Sequence, residues 1–208
     1  MNSLPEFVAA FTALFVVIDP IGMAPLFIAM TAGLSPSERR VIAFRSCAVA
    51  IGVLIVFALV GEQLLTFIGI SLPAFQIAGG VLLFLTALDM LFERRQARRQ
   101  DTTDETISIE NDPSVFPLAI PLIAGPGAIA TMILLTGQAE GAADYGAAIG
   151  VMVAVVLLVF LLFNVAAWLE RLLGKTGINV VTRLLGMLLA ALSVQFILDG
   201  LKGFGLAG

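Results

Sequence analysis

Apolar stretches, each long enough to cross a hydrocarbon layer, fill almost the whole chain, and they decide its fold class before any single residue is considered. They run at about 7–30, 42–62, 70–92, 117–137, 145–169 and 178–199, and each is bounded by charge or turn signals. A hydrocarbon core about 30 Å thick takes about 20 apolar residues per helix, and tilt or snorkelling absorbs the differences in length. Six such spans leave no room for a separate extramembrane domain in 208 residues. Composition agrees: 60% of residues are hydrophobic and 12% charged, with a mean hydropathy of +1.07, whereas a soluble chain carries about 25% charged residues. The expectation is an all-α membrane protein, one transmembrane domain over 1–208, embedded in the bilayer.

Charge placement orients it. Arg39, Arg40 and Arg45 lie between spans 1 and 2, Arg94, Arg95, Arg98 and Arg99 between spans 3 and 4, and Arg171, Lys175 and Arg183 around the connection of spans 5 and 6. Of the 11 basic residues only Lys202 falls on the other side. Short basic loops stay in the cytoplasm, so both termini are expected outside. The start, MNSLPEF, carries Glu6 rather than a positive n-region, so the first apolar segment is expected to be kept as a helix. The connection at about 93–115, ERRQARRQ followed by DTTDETISIENDPS, is too polar to fold as a domain and reads as a cytoplasmic linker.

The two sides of that linker match each other. Pro20 and Pro126 are 106 residues apart, and so are Gly80 and Gly186. The same shift lays spans 1–3 (about 7–92) on spans 4–6 (about 116–201) without a gap. Three spans per half is an odd number, so the second half must enter from the opposite face, which makes an inverted repeat of the kind found in secondary transporters. Spans 1 and 4 carry matching interruptions near their centres. In the first, Asp19-Pro20 is followed by Gly22 and Pro25; in the second, Gly125-Pro126-Gly127 is preceded by Pro121. Proline removes a backbone donor, and Asp before Pro is the pairing of N-cap and N1, so each span is expected to be two half-helices broken at the midplane. Backbone without partners costs several kcal/mol per group in hydrocarbon, so such breaks survive only in protein or beside a wet cavity. Two half-helix N-termini there suit a small anionic group such as a carboxylate.

Four segments in order, LFVVIDPIGMAPLF, LPAFQIAGGVLLFLTALDML, PLIAGPGAIATM and RLLGMLLAALSVQFILDGL, resemble the MarC family of bacterial integral membrane proteins. The resemblance covers essentially the whole chain except 93–112. It implies a place in a bacterial inner membrane and a transporter of small neutral amino acids such as glycine and alanine, within a larger superfamily of amino-acid exporters. One departure is Met23-Ala24, where the DPIGN-type pattern of many relatives has Asn, so selectivity here is expected to differ if that Asn touches substrate.

The candidate substrate-binding set is Asp19, Pro20, Gly22, Gly125, Pro126, Gly127, Ala128 and Thr131. Asp19 is expected to pair with a substrate ammonium or to carry a coupling H⁺ or Na⁺, the plainer alternative being that it only caps its own half-helix. The N–H groups around Gly125, Gly127 and Ala128 would hold the carboxylate, while Thr131 has the alternative of bonding back to its own helix. Asp89 and Arg183 offer an inner gate, but the preferred reading has Asp89 meet Arg94 or water at the interface while Arg183 snorkels. Asn164 and Gln195 are amides in apolar helices, where hydrogen bonds between helices are the commoner use than substrate contact.

Other functions fit less well. With no histidine and no cluster of Ser, Cys and carboxylate, catalysis lacks its groups. No metal or cofactor beyond a coupling ion is expected, since Asp19 and Asp89 are the only inward carboxylates. The single cysteine, Cys47, rules out an intrachain disulfide, and the net charge of −4 argues against nucleic acid. Multidrug efflux and a non-transporting scaffold stay open as alternatives, although one Trp and one Tyr suit a small polar solute better than a bulky one.

Overall fold

A computed structural model describes residues 4–92, 94 and 112–205. Most of the 93–115 linker, with Arg95, Arg98 and Arg99, lies outside the described residues. Seven helices are described: α1 Leu4–Ile18, α2 Pro20–Met30, α3 Pro36–Ile68, α4 Leu72–Leu91, α5 Pro126–Gly137, α6 Ala142–Asn164 and α7 Ala166–Gly203. The segment Ser114–Ile123 before α5 coils irregularly. Its two extended residues, Phe116 (φ −126°, ψ 125°) and Ile120 (φ −128°, ψ 124°), each precede a proline, whose ring pushes the residue before it out of the helical region. This segment meets α5 at 57°.

The protein is therefore an all-helical, multi-pass membrane protein. Five spans are long and apolar enough to cross a bilayer, with α1 and α2 together as one of them, and the bent pair ending in α5 makes a sixth. Expected and observed segments agree except at three places, of which the first is the leading half of span 4, expected as a half-helix but irregular over Ser114–Ile123 because Pro117 and Pro121 push the residue before each out of helical backbone. Helix α3, at 33 residues from Pro36 to Ile68, spans about 50 Å and so extends beyond the expected 42–62 at both ends. The connection between spans 5 and 6 is itself helical: α7 starts one residue after α6 and turns at Gly174, whose φ of 60° and ψ of 176° a residue with a Cβ rarely adopts.

Local chemistry accounts for the ends. Ser35 and Glu38 form a reciprocal capping box at the start of α3, with Pro36 at N1. Ser71 caps α4 through the Ala74 N–H. Gly69, at φ 82°, closes α3.

The interrupted elements sit in the middle. In the most apolar window of Leu4–Met30, 67% of residues are buried, against 22–39% in the long helices. Leu14, Ile18, Met23, Leu118, Ile123 and Met132 are all completely enclosed. Around them, α4 and α7 press together through glycines. A Cβ at Gly80 would lie 2.7 Å from Ile197 Cγ1 and 2.8 Å from Ser193 O, and one at Gly186 would lie 2.9 Å from Met90 Cβ and 3.3 Å from Ala87 O. Small residues let membrane helices approach closely, where dispersion replaces the absent hydrophobic drive.

The three basic connections meet at one end of the bundle. Arg40 Nε donates to Asn164 Oδ1 at 3.4 Å, and Arg45 pairs with Asp112 at 2.5 Å. Burial pushes the Asp112 carboxyl up, but the Ser114 N–H and hydroxyl and the Arg45 guanidinium outweigh it and hold the group below the usual carboxylate range. Its contribution to stability is thus present above the ordinary carboxylate pKa and lost as pH falls through the lowered value. Both side chains are about half exposed, so the pair is worth under about 1 kcal/mol.

Two outcomes follow for thermal unfolding in detergent. Gly80→Ala, whose new methyl meets a backbone oxygen, lowers the midpoint by the equivalent of about 1–3 kcal/mol, whereas Gly52→Ala, with nothing within 4 Å, does not lower it. Acidification from about pH 7 to about pH 3 costs the parent slightly more of its midpoint than it costs Arg45→Gln.

Candidate functional site

Asp19 ends α1 and starts α2. Its backbone is left-handed (φ 56°, ψ 62°), and its Oδ1 accepts the Gly22 N–H at 3.1 Å. Asp is one of the few residues with a Cβ that tolerates this conformation, because its short side chain bonds locally. Pro20 occupies N1, where a missing N–H costs nothing. The carboxylate is 1% exposed. It lies at the positive end of the α2 dipole. Gly22 is required by this geometry, since a Cβ there would overlap the Asp19 carboxylate. Met23 is fully buried in the same turn.

Helix α5 starts differently. Gly125 is the N-cap in extended backbone and Pro126 is N1, but no side chain caps the helix. The first intrahelical bond is Ile129 N–H to Gly125 O at 3.0 Å, so the Gly127 and Ala128 N–H groups are the orphan donors of this start. A Cβ at Gly125 would lie 2.5 Å from Pro121 O, so glycine alone fits between the irregular segment and α5. Gly125 and Ala128 are buried, Gly127 is half-buried and Pro126 is exposed.

The two starts are neighbours. A Cβ on Gly127 would lie 2.9 Å from Val17 Cγ1, two residues before Asp19, and 3.2 Å from Leu83 of α4. Val17 and Gly127 therefore bring the end of α1 against the start of α5.

The remaining candidates are placed as follows. Thr131 is fully buried and donates to Gly127 O at 2.8 Å, the back-bonded alternative, and it steadies the turn that carries Gly127. Asn164 is exposed at the end of α6, where it donates to Phe160 O at 2.7 Å and accepts from Arg40. Gln195 is exposed on α7 and donates to Asp199 Oδ1, four residues on, at 2.8 Å. Neither amide reaches the central region. Asp89 is half-buried on α4, and Arg183 is exposed on α7, one turn before the Gly186 contact with Ala87 and Met90. Their helices pack together, which brings the two residues to the same end of one interface.

Sequence reasoning missed several buried polar groups. Asp144, 8% exposed at the start of α6, accepts the Glu140 N–H, and the neighbouring Tyr145 hydroxyl donates to Ala58 O on α3. Both stand in a stretch, GAADYG, that reads as a loop edge. Thr182 Oγ1 is buried and has no hydrogen-bond partner among the described residues.

Asn is also at home in left-handed backbone and keeps a cap acceptor. Asp19→Asn is therefore expected to keep the thermal midpoint within the equivalent of about 1 kcal/mol, while Asp19→Leu, with neither property, lowers it clearly. Both are read by thermal unfolding in detergent.

Comparison with known proteins agrees with this architecture. A family profile described as MarC family integral membrane protein matches residues 4–204. A UPF0056 membrane protein of Methanocaldococcus jannaschii is 34% identical over 201 residues, covering 96% of this chain and 98% of its own. The UPF0056 membrane protein YvbG of Bacillus subtilis is 37% identical over 199 residues, 94% of each chain. A third, from Aquifex aeolicus, is 36% identical over 197 residues, 94% of this chain and 92% of its own. No solved structure matches. The chain belongs to the MarC family of integral membrane proteins.

Proposed function

We propose that this protein is a secondary transporter of small neutral amino acids, glycine and alanine being the type. The observation that carries the reading is the pairing of unlike helix starts: the buried carboxyl group of Asp19, and an α5 start without a side-chain cap that meets α1 through Gly127 and Val17 and whose Gly127 and Ala128 N–H groups suit an anionic ligand. A zwitterion with a very short side chain satisfies both at once. Its ammonium offsets the buried carboxylate and its carboxylate takes the orphan donors. The close packing around Met23, Ala24, Ala124 and Ala128, all at most 1% exposed, leaves room for no large substituent without rearrangement, and such rearrangement is what alternating access requires.

The same reading treats the fold as two inverted halves with spans broken near the midplane. It is supported by paired contacts at one offset. Gly80 meets Ser193 and Ile197, and Gly186 meets Ala87 and Leu91; each residue of the first set lies 106 positions from its counterpart in the second. Pro20 and Pro126, at the same offset, each take N1 of a helix. Orientation with the basic end in the cytoplasm and both termini outside, in the inner membrane, follows from the gathering of Arg39, Arg40 and Arg45 with the α6–α7 connection at that end. Asp19 would serve either the substrate ammonium or a coupling H⁺ or Na⁺. Asp89 and Arg183 are read as interfacial residues.

The test is counterflow of labelled amino acids into proteoliposomes, with and without Na⁺ and pH gradients. Glycine or alanine should exchange, and Asp19→Asn should reduce the rate by at least about tenfold, a change of about 1.4 kcal/mol, at near-parent stability. Equal exchange by Asp19→Asn would remove the assignment of Asp19, and no exchange of any small amino acid would remove the transport reading. Glycine and alanine should also raise the thermal midpoint of the purified protein where bulky drugs do not.

A further inference from the structure

The basic end of the bundle encloses a cavity of about 370 Å³ between the α2–α3 turn and the α6–α7 junction. Its polar wall is Arg39, Arg40 and Asn164, and its apolar wall includes Phe27, Phe163 and Ala167. The two rings stack at 4.3 Å and 7°, which makes a flat, rigid floor. Each arginine is anchored through one nitrogen only. Arg39 Nε donates to Thr31 O at 3.2 Å, and Arg40 Nε donates to Asn164 Oδ1 at 3.4 Å. The terminal guanidinium nitrogens are thus held in place and left to bind something else.

No carboxylate neutralises them among the described residues. The acid nearest in sequence, Glu38, is turned back on Ser35, accepting its N–H at 2.8 Å and its hydroxyl at 2.7 Å. Elsewhere at this end Arg45 does have its counter-ion, Asp112. Two adjacent fixed cations without an anion, over an apolar floor in a cavity of small-ligand size, call for an amphiphile with a phosphate. Guanidinium groups match phosphate geometry through paired N–H donors. Phe44 (64% exposed) follows Arg40 by one turn of α3, and Val165 (44%) and Trp168 (62%) each follow a lining residue, Asn164 and Ala167; these exposed apolar side chains are where acyl chains would lie.

We infer that this cavity is a binding site for the phosphate headgroup of an anionic phospholipid, with Arg39 and Arg40 as its ligands and Asn164 as the residue that aims Arg40. The bound lipid would tie the α2–α3 turn to the α6–α7 junction. The assignment goes beyond transport and does not depend on which solute is carried.

The experiment uses the full chain in neutral detergent, with dioleoyl phosphatidylglycerol as probe and dioleoyl phosphatidylcholine, glycerol phosphate and inorganic phosphate as comparators. Lipid retention is read by native mass spectrometry and stabilisation by the thermal midpoint. Phosphatidylglycerol should be retained and raise the midpoint, and the other three should not. Combined Arg39→Gln and Arg40→Gln should weaken retention by about tenfold, while Arg171→Gln, on the same leg of α7 outside the cavity, should leave it unchanged. Ala167→Phe, at an exposed position, fills the cavity without altering charge and should also weaken retention; it decides the matter if the double variant does not fold. Equal retention of phosphatidylcholine, or unchanged retention in Ala167→Phe, would overturn the site. Stabilisation by inorganic phosphate equal to that by phosphatidylglycerol would overturn the lipid as its occupant.

Discussion

A peptide group in hydrocarbon has no water to fall back on, so each N–H and C=O must find its partner within the protein. Most of this chain meets that demand in the simplest way, as unbroken helices. The exceptions, Asp19 between α1 and α2 and the stretch Ser114–Gly125 before α5, are placed where the demand can be met otherwise, in the interior. The long helices α3, α4, α6 and α7 form a wall around them with most of their own surface outward. The architecture is a shield of regular helices around a small amount of irregular backbone.

What that irregular backbone offers is chemical asymmetry. Both interruptions begin a new helix with proline at N1, so both expose the positive end of a helix dipole to the core. At the first, Asp19 answers with its own carboxylate, at the cost of a left-handed backbone and a glycine at position 22. At the second, Gly125 answers with nothing, and a Cβ there is forbidden by Pro121 O. One start is therefore capped by its own side chain, while the other has no side-chain cap.

The end of the bundle that gathers the arginines follows a separate logic. Arg45 is matched by Asp112 and Arg39 closes on the carbonyl that ends α2, but the distal groups of Arg39 and Arg40 face a cavity with an aromatic floor. A basic end explains where the chain sits relative to the membrane. It does not explain why two of those charges should be fixed in position by hydrogen bonds, which a headgroup site does.

Much of this was legible in one sequence because the bilayer narrows the options. Span number came from the length of apolar runs, and the helix starts at Pro20 and Pro126 from proline behind Asp19 and Gly125. Other features depended on distances that no local pattern encodes. Asn164 looked like an amide inside an apolar helix, yet the structure puts it at an exposed helix end beside Arg40, because α6 stops there and α7 begins at once. Gln195, read as glue between helices, bonds along its own helix to Asp199. Asp144 was passed over because its burial depends on α6 beginning against α3. The sequence alone determined where the apolar spans lie and where proline interrupts them, since both depend on near neighbours along the chain. Only the tertiary structure decided which stops meet, as Val17 and Gly127 do, and which charges end up in cavities, since both depend on how helices far apart in the chain pack.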